Sequence, residues 1–164
     1  MKSLTRIAAA LVLAATSVSI AQAQVLSERN IGLDLANRIA AASVQACADK
    51  GYAVTATVVD RAGLVRAVQR ADNAGPHTIG ASLQKAYTSA SARNTTLAMM
   101  DAAQKNPGAA NLTDISGFLL LGGGVPVKAG NDVIGAVGVG GAPGGHLDEQ
   151  CAIAALESVK DLLQ

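Results

Sequence analysis

Two runs of alternating β-branched residues, each doubling back at a turn, constrain this chain more than any other feature. Val54 to Val59 alternates, Asp60-Arg61-Ala62-Gly63 is a turn, and Leu64 to Arg70 reads as the return strand. Val125 to Lys128, a turn at Ala129-Gly130-Asn131-Asp132 and Val133 to Gly140 repeat the pattern, and Gly117 to Leu121 reads as a further strand before them. Helical periodicity fills the spaces between. Ser27 can cap a first helix carrying Ile31, Leu35, Ile39, Ala42 and Ala46, which Gly51 ends. A second helix runs from about Thr78 to Arg93, with Ile79, Leu83, Ala86, Tyr87 and Ala90 as its apolar stripe and Thr78, Ser82, Lys85 and Ser89 opposite. A third spans Thr96 to Lys105 before Pro107, and a last begins near Leu147. Hairpin connections make the sheet antiparallel, so the class is α+β rather than doubly wound.

The core of such a fold must be aliphatic, because Tyr52, Tyr87 and Phe118 are the only aromatics and there is no Trp. So low an aromatic content argues against stacking platforms for bases or sugars. Lys and Arg total 13 against 12 acidic residues, with no basic run, so nucleic acid is not an expected partner. Residues 1–23 read as a secretory signal peptide. Lys2 and Arg6 precede the apolar Ile7 to Leu13, and Ala21-Gln22-Ala23 is a small-x-small cleavage site. The apolar run is too short to span a bilayer, and no membrane span is expected after its removal. Residues 24–164 are then one domain, periplasmic or extracellular. In that oxidising setting Cys47 and Cys151 are either bridged or two buried thiols on apolar helix faces.

The run from Arg70 to Ala90 carries the richest chemistry. His77, one of two histidines, follows Gly75-Pro76 at the start of the second helix. Backbone N–H groups there carry partial positive charge, which disfavours imidazolium and leaves a ring lone pair for a metal. Lys85, two turns on and beside Thr78 and Ser82, can meet a carboxylate. The plainer alternative makes His77 a helix cap and sends Lys85 to solvent. His146 stands in a similar place, with Asp148 beside it as a helix cap, and no third metal ligand is evident. Gly138-Val139-Gly140-Gly141-Ala142-Pro143 fails the dinucleotide fingerprint, since Pro143 replaces its last glycine and no βαβ unit follows. The glycines from Val133 to Gly145 instead allow close strand packing and leave a wall for a flat ligand. Ser82, Ser89 and Ser91 lack a nucleophile elbow, and Asp60 is a turn residue.

Six ordered segments resemble the HbpS/GlcG haem-binding family, which is related to the C-terminal domain of PduO. They are Val58 to Gly63, Arg70 to Ala74, Lys85 to Ala90, Gly122 to Pro126, Ile134 to Gly141 and Asp148 to Cys151. The one departure is Asp72-Asn73-Ala74, where the family usually has Asp-Gly-Ala. The resemblance implies a profilin-like, five-stranded antiparallel sheet flanked by helices, assembled into homo-oligomers. It implies binding of haem or a related tetrapyrrole, with degradation proposed for some members. On this basis His77 is the expected axial ligand to the iron of haem b, with Thr78 and Lys85 as haem contacts and Lys85 facing a propionate. The expected function is sequestration or carriage of haem. The alternatives are an enzyme acting on haem or another small metabolite, and a structural or sensory oligomer without a ligand.

Overall fold

The computed structural model describes residues 25–164, so the expected signal peptide lies outside the described residues. The elements in order are α1 (Leu33–Ala48), β1 (Thr55–Asp60), β2 (Val65–Arg70), α2 (His77–Ala92), α3 (Thr96–Lys105), a 3-10 segment (Pro107–Asp114), β3 (Gly124–Ala129), β4 (Asp132–Gly140), α4 (Gly145–Ser158) and a short 3-10 turn (Lys160–Leu162). Both hairpins form as the alternation predicts. The strands pair antiparallel throughout in the order β2-β1-β4-β3, so the two hairpins meet along β1 and β4.

The sheet has four strands among the described residues, not five. The run Gly117 to Leu121 is apolar enough for a strand, but its backbone groups find other partners. Leu119 N–H donates to the Thr88 hydroxyl (2.8 Å), and Leu121 C=O accepts from Thr96 Oγ1 (2.8 Å). Gly117 sits at φ +85°, which turns the chain out of an extended path. The start of α1 also differs. Ser27 does not cap it; Gly32 is the extended N-cap, and Ile31 before it is tied to β4 by its N–H donating to Ile134 C=O (3.0 Å). Asn73, in the departure from the family pattern, holds φ +65°, a conformation that Asn tolerates almost as Gly does.

The two sheet faces are covered differently. Ile39, Val54, Val58, Val127, Val137 and Val139 form an aliphatic core under α1 and α4, and a Cys47–Cys151 disulfide ties those helices together. Its Cα atoms are 5.4 Å apart, inside the range a bridge needs. On the other face lies α2, rotated from what its periodicity predicts. Thr78, Ser82, Lys85 and Ser89 are buried, and of the expected apolar stripe only Ala86 and Ala90 are buried with them, while Ile79, Leu83 and Tyr87 are exposed. The reason is the glycines of the sheet. A Cβ on Gly138 would run into the backbone of Ser82 and Ala86, and one on Gly124 into the Lys85 carbonyl. At that distance there is no room for Leu, and small hydroxyl side chains fit instead.

Candidate functional site

Those hydroxyls fix where α2 begins. Thr78 donates to Gly75 C=O (2.6 Å) and meets Thr55 Oγ1 (2.7 Å), and Ser82 meets Thr57 Oγ1 (2.7 Å). The pairs lock the first two turns of α2 onto β1 and set His77 at the edge of the sheet. Opposite it, β4 ends in the loop 140–145, from which α4 starts at Gly145. A cavity of about 230 Å³ opens between the two helix starts, lined by His77, Ala81, Lys85, Leu121, Asp148 and the Gly140-Gly141-Ala142-Pro143-Gly144-Gly145 loop. The His77 ring is exposed and lies back over Gly75, where a Cβ would strike it. The residue is thus exposed at the cavity lining and not packed in the core.

The floor of the cavity is a buried ion pair. Lys85, 1% exposed, donates to Asp148 Oδ2 (2.8 Å) and to Val139 C=O (2.9 Å). Asp148 Oδ1 accepts from Ala142 N–H (2.9 Å), so one carboxylate joins α2, α4 and the glycine loop. Burial raises the Asp148 carboxyl above its ordinary value, against the opposing pull of the Lys85 ammonium. Next to it, Glu149 Oε2 accepts from Leu97 N–H (3.3 Å) and Gly123 N–H (3.4 Å) and so fastens α4 to the start of α3.

Of the residues singled out in the sequence, His77 and Lys85 reach the cavity together. Thr78 is not in its lining; its hydroxyl is consumed within the fold, beneath His77. Lys85 does not run to solvent, since the sheet glycines let α2 sit low enough to bury it. His146 is exposed, folds back over Gly144 and is not in the lining. Asp148 does not cap α4 but is the partner of Lys85, 63 residues away in sequence. Periodicity within one helix carries no signal for that pairing. No cluster of three or more His, Cys, Asp and Glu side chains occurs among the described residues. A lone histidine could therefore serve only a metal that brings most of its own ligands, as a porphyrin does.

A family model described as "Haem degrading protein HbpS-like" matches residues 31–157. A curated relative, the uncharacterized 15.0 kDa protein in the dhaT-dhaS intergenic region of Citrobacter freundii, is 37% identical over 115 residues, covering 68% of this chain and 80% of that protein. Among solved structures, a double mutant of HbpS from Streptomyces reticuli is 35% identical with a TM-score of 0.77, covering 89% of this chain and 98% of its own. PduOC in complex with haem shares the fold at 20% identity, with a TM-score of 0.70, and covers 79% of this chain and 94% of its own. With most of its length matched in this way, the chain belongs to the HbpS-like family.

Proposed function

We propose that this chain binds haem b through the His77 imidazole as axial ligand, and that it sequesters or carries haem in the periplasm or outside the cell. The observation that carries the proposal is the exposed imidazole at the mouth of a cavity walled by backbone. The Gly140–Gly145 loop presents almost no side chain, so a flat ring can lie against it. The donor set fits haem better than a bare ion, because one histidine suffices for an iron whose other ligands the porphyrin supplies. Pockets that enclose drug-sized ligands run to ~300–1,000 Å³. At about 230 Å³ this cavity is too small to enclose a whole porphyrin, so a bound ring would be covered only in part.

Bound haem would supply the iron; the chain supplies position. Thr78 holds the turn from which His77 projects. Lys85 is the only cation in the cavity lining, so a propionate that enters is drawn toward it in competition with Asp148. The Cys47–Cys151 bridge supports an oxidising compartment, in agreement with the signal-peptide pattern of residues 1–23.

Titrating the apo-protein with haem, with cobalamin in parallel, tests the proposal. A shifted Soret band is expected with haem and none with cobalamin, and His77→Ala should weaken binding by roughly tenfold or more. An unchanged titration in His77→Ala removes His77 from the role. Adding a reductant under air separates storage from turnover, because a degrading enzyme loses the Soret band and releases iron.

A further inference from the structure

The ion pair on the cavity floor leaves one donor over. An ammonium carries three N–H groups. Lys85 gives one to Asp148 Oδ2 and one to Val139 C=O, and the third has no acceptor among the described residues. Backbone closes the pair on one side, since a Cβ at Gly123 would lie 3.0 Å from Lys85 Nζ and 2.8 Å from Asp148 Cβ. The cavity lies on another, with both residues in its lining. They are the only charged side chains there, and His77 is the one further titratable group. β4 and the glycine loop bring backbone alone, Val139 C=O to Lys85 and Ala142 N–H to Asp148. Glu149, next along α4, is engaged by Leu97 N–H and Gly123 N–H, and His146 stands outside the lining. A ligand oxygen that enters therefore meets an ammonium with a free donor and a carboxylate already seated on it.

We propose that Asp148 holds the place of a ligand carboxylate: an acidic ligand entering the cavity takes over the Lys85 ammonium, the displaced Asp148 carboxyl is neutralised by one proton from solvent, and the site thereby selects acids over neutral molecules of the same shape. Charge balance carries the argument. The empty floor is neutral, with one ammonium and one carboxylate. A second carboxylate without a proton would leave a net negative charge in a buried place, which costs more than taking up a proton there. Burial already pulls Asp148 toward its protonated form, and the Lys85 ammonium is the largest force against it. Once that ammonium is shared with a second carboxylate, the opposing pull weakens and the two carboxyl groups hold one proton between them. The Ala142 N–H bond to Asp148 Oδ1 survives the exchange, because a protonated carboxyl keeps an acceptor oxygen. Since a proton is taken up, binding tightens as pH falls. That haem is the acid, through a propionate, rests on the haem reading above; the exchange itself needs only a carboxylate that reaches Lys85.

Haem and haem dimethyl ester share iron and macrocycle and differ only at the propionates. Titrating the purified chain with each, from about pH 8 down to about pH 6, tests the exchange. Haem should tighten as pH falls by up to about tenfold per pH unit beyond any change seen with the ester. Contributions from His77 and the iron are common to both ligands and cancel. Equal slopes for acid and ester overturn the exchange and leave haem binding through His77 standing. Asp148→Asn keeps an acceptor for Ala142 N–H but takes no proton, so in it the acid should lose its extra slope. A slope that persists there overturns the role of Asp148. The wild-type comparison needs no variant and decides the matter even if Asp148→Asn does not fold. A chain that binds neither porphyrin removes the haem reading, and carbon NMR with benzoate and benzamide then decides the exchange. Benzoate at millimolar concentration should move the titration of the Asp148 carboxyl carbon to higher pH, and benzamide should not. A titration that benzoate leaves unmoved overturns the proposal.

Discussion

The two faces of the sheet are held by opposite means. Under α1 and α4 the packing is aliphatic, and the helices are stapled by a disulfide. Under α2 it is polar and close: two hydroxyl pairs, a buried ion pair and glycines that bring helix backbone onto sheet backbone. The first arrangement draws on burial of apolar area and on a cross-link that constrains the unfolded chain. The second gives up apolar burial for position. It seats His77 and Lys85 around one cavity and turns Ile79, Leu83 and Tyr87 of α2 outward. The face that builds the candidate site is thus the face built with least tolerance for added volume.

The largest expected effect breaks the first face. Replacing Cys47 and Cys151 by Ala opens a loop with a sequence separation of 104 residues. Loss of about 4–5 kcal/mol in the chain-entropy model should appear as a lower urea midpoint. A midpoint unmoved by the replacement would show that α1 and α4 hold by packing alone. On the second face, Asp148→Ala strands the Lys85 ammonium at 1% exposure and should cost about 3–5 kcal/mol. The paired change Lys85→Met with Asp148→Leu should recover most of that stability while altering the cavity. If the pair is no better than the single variant, the ion pair is not what makes Asp148→Ala costly. Gly138→Ala should cost roughly 1–3 kcal/mol by pushing α2 off the sheet. Calorimetry that finds it neutral would mean α2 is free to lift.

The smallest effect is one of pH. Burial raises the Asp148 carboxyl, so the folded chain takes up that proton at a higher pH than the unfolded chain does. This group's contribution to stability is therefore greatest at low pH and is lost as pH rises through the raised value. From neutral pH down to about 4, the wild-type urea midpoint should gain on that of Asp148→Asn. A widening deficit for wild type would reverse the sign and contradict the burial argument.

Much of this contrast is visible in the residues and some of it is not. Both hairpins are legible because alternation and turn chemistry are local properties. The period of α2 is legible too, but which stripe faces inward is not. That depends on Gly124 and Gly138, which are distant in sequence and set the helix-to-sheet distance. Gly117 to Leu121 looks like a strand because composition does not reveal that the Thr88 and Thr96 hydroxyls take its backbone groups. In the site, His77 is visible from Gly75-Pro76-His77 at a helix start. The Lys85–Asp148 pair is hidden, since each residue has a plausible local role and only the tertiary fold brings them to 2.8 Å. The cysteines were consistent with a bridge or with free thiols until the meeting of α1 and α4 decided for the bridge.

The account turns on an imidazole free to coordinate at the cavity mouth, and imidazole rescue tests that most directly. His77→Ala, loaded with haem, should lack the wild-type Soret band and regain it when free imidazole is added at millimolar concentration. A His77→Ala spectrum that already matches wild type before any imidazole is added would contradict the account.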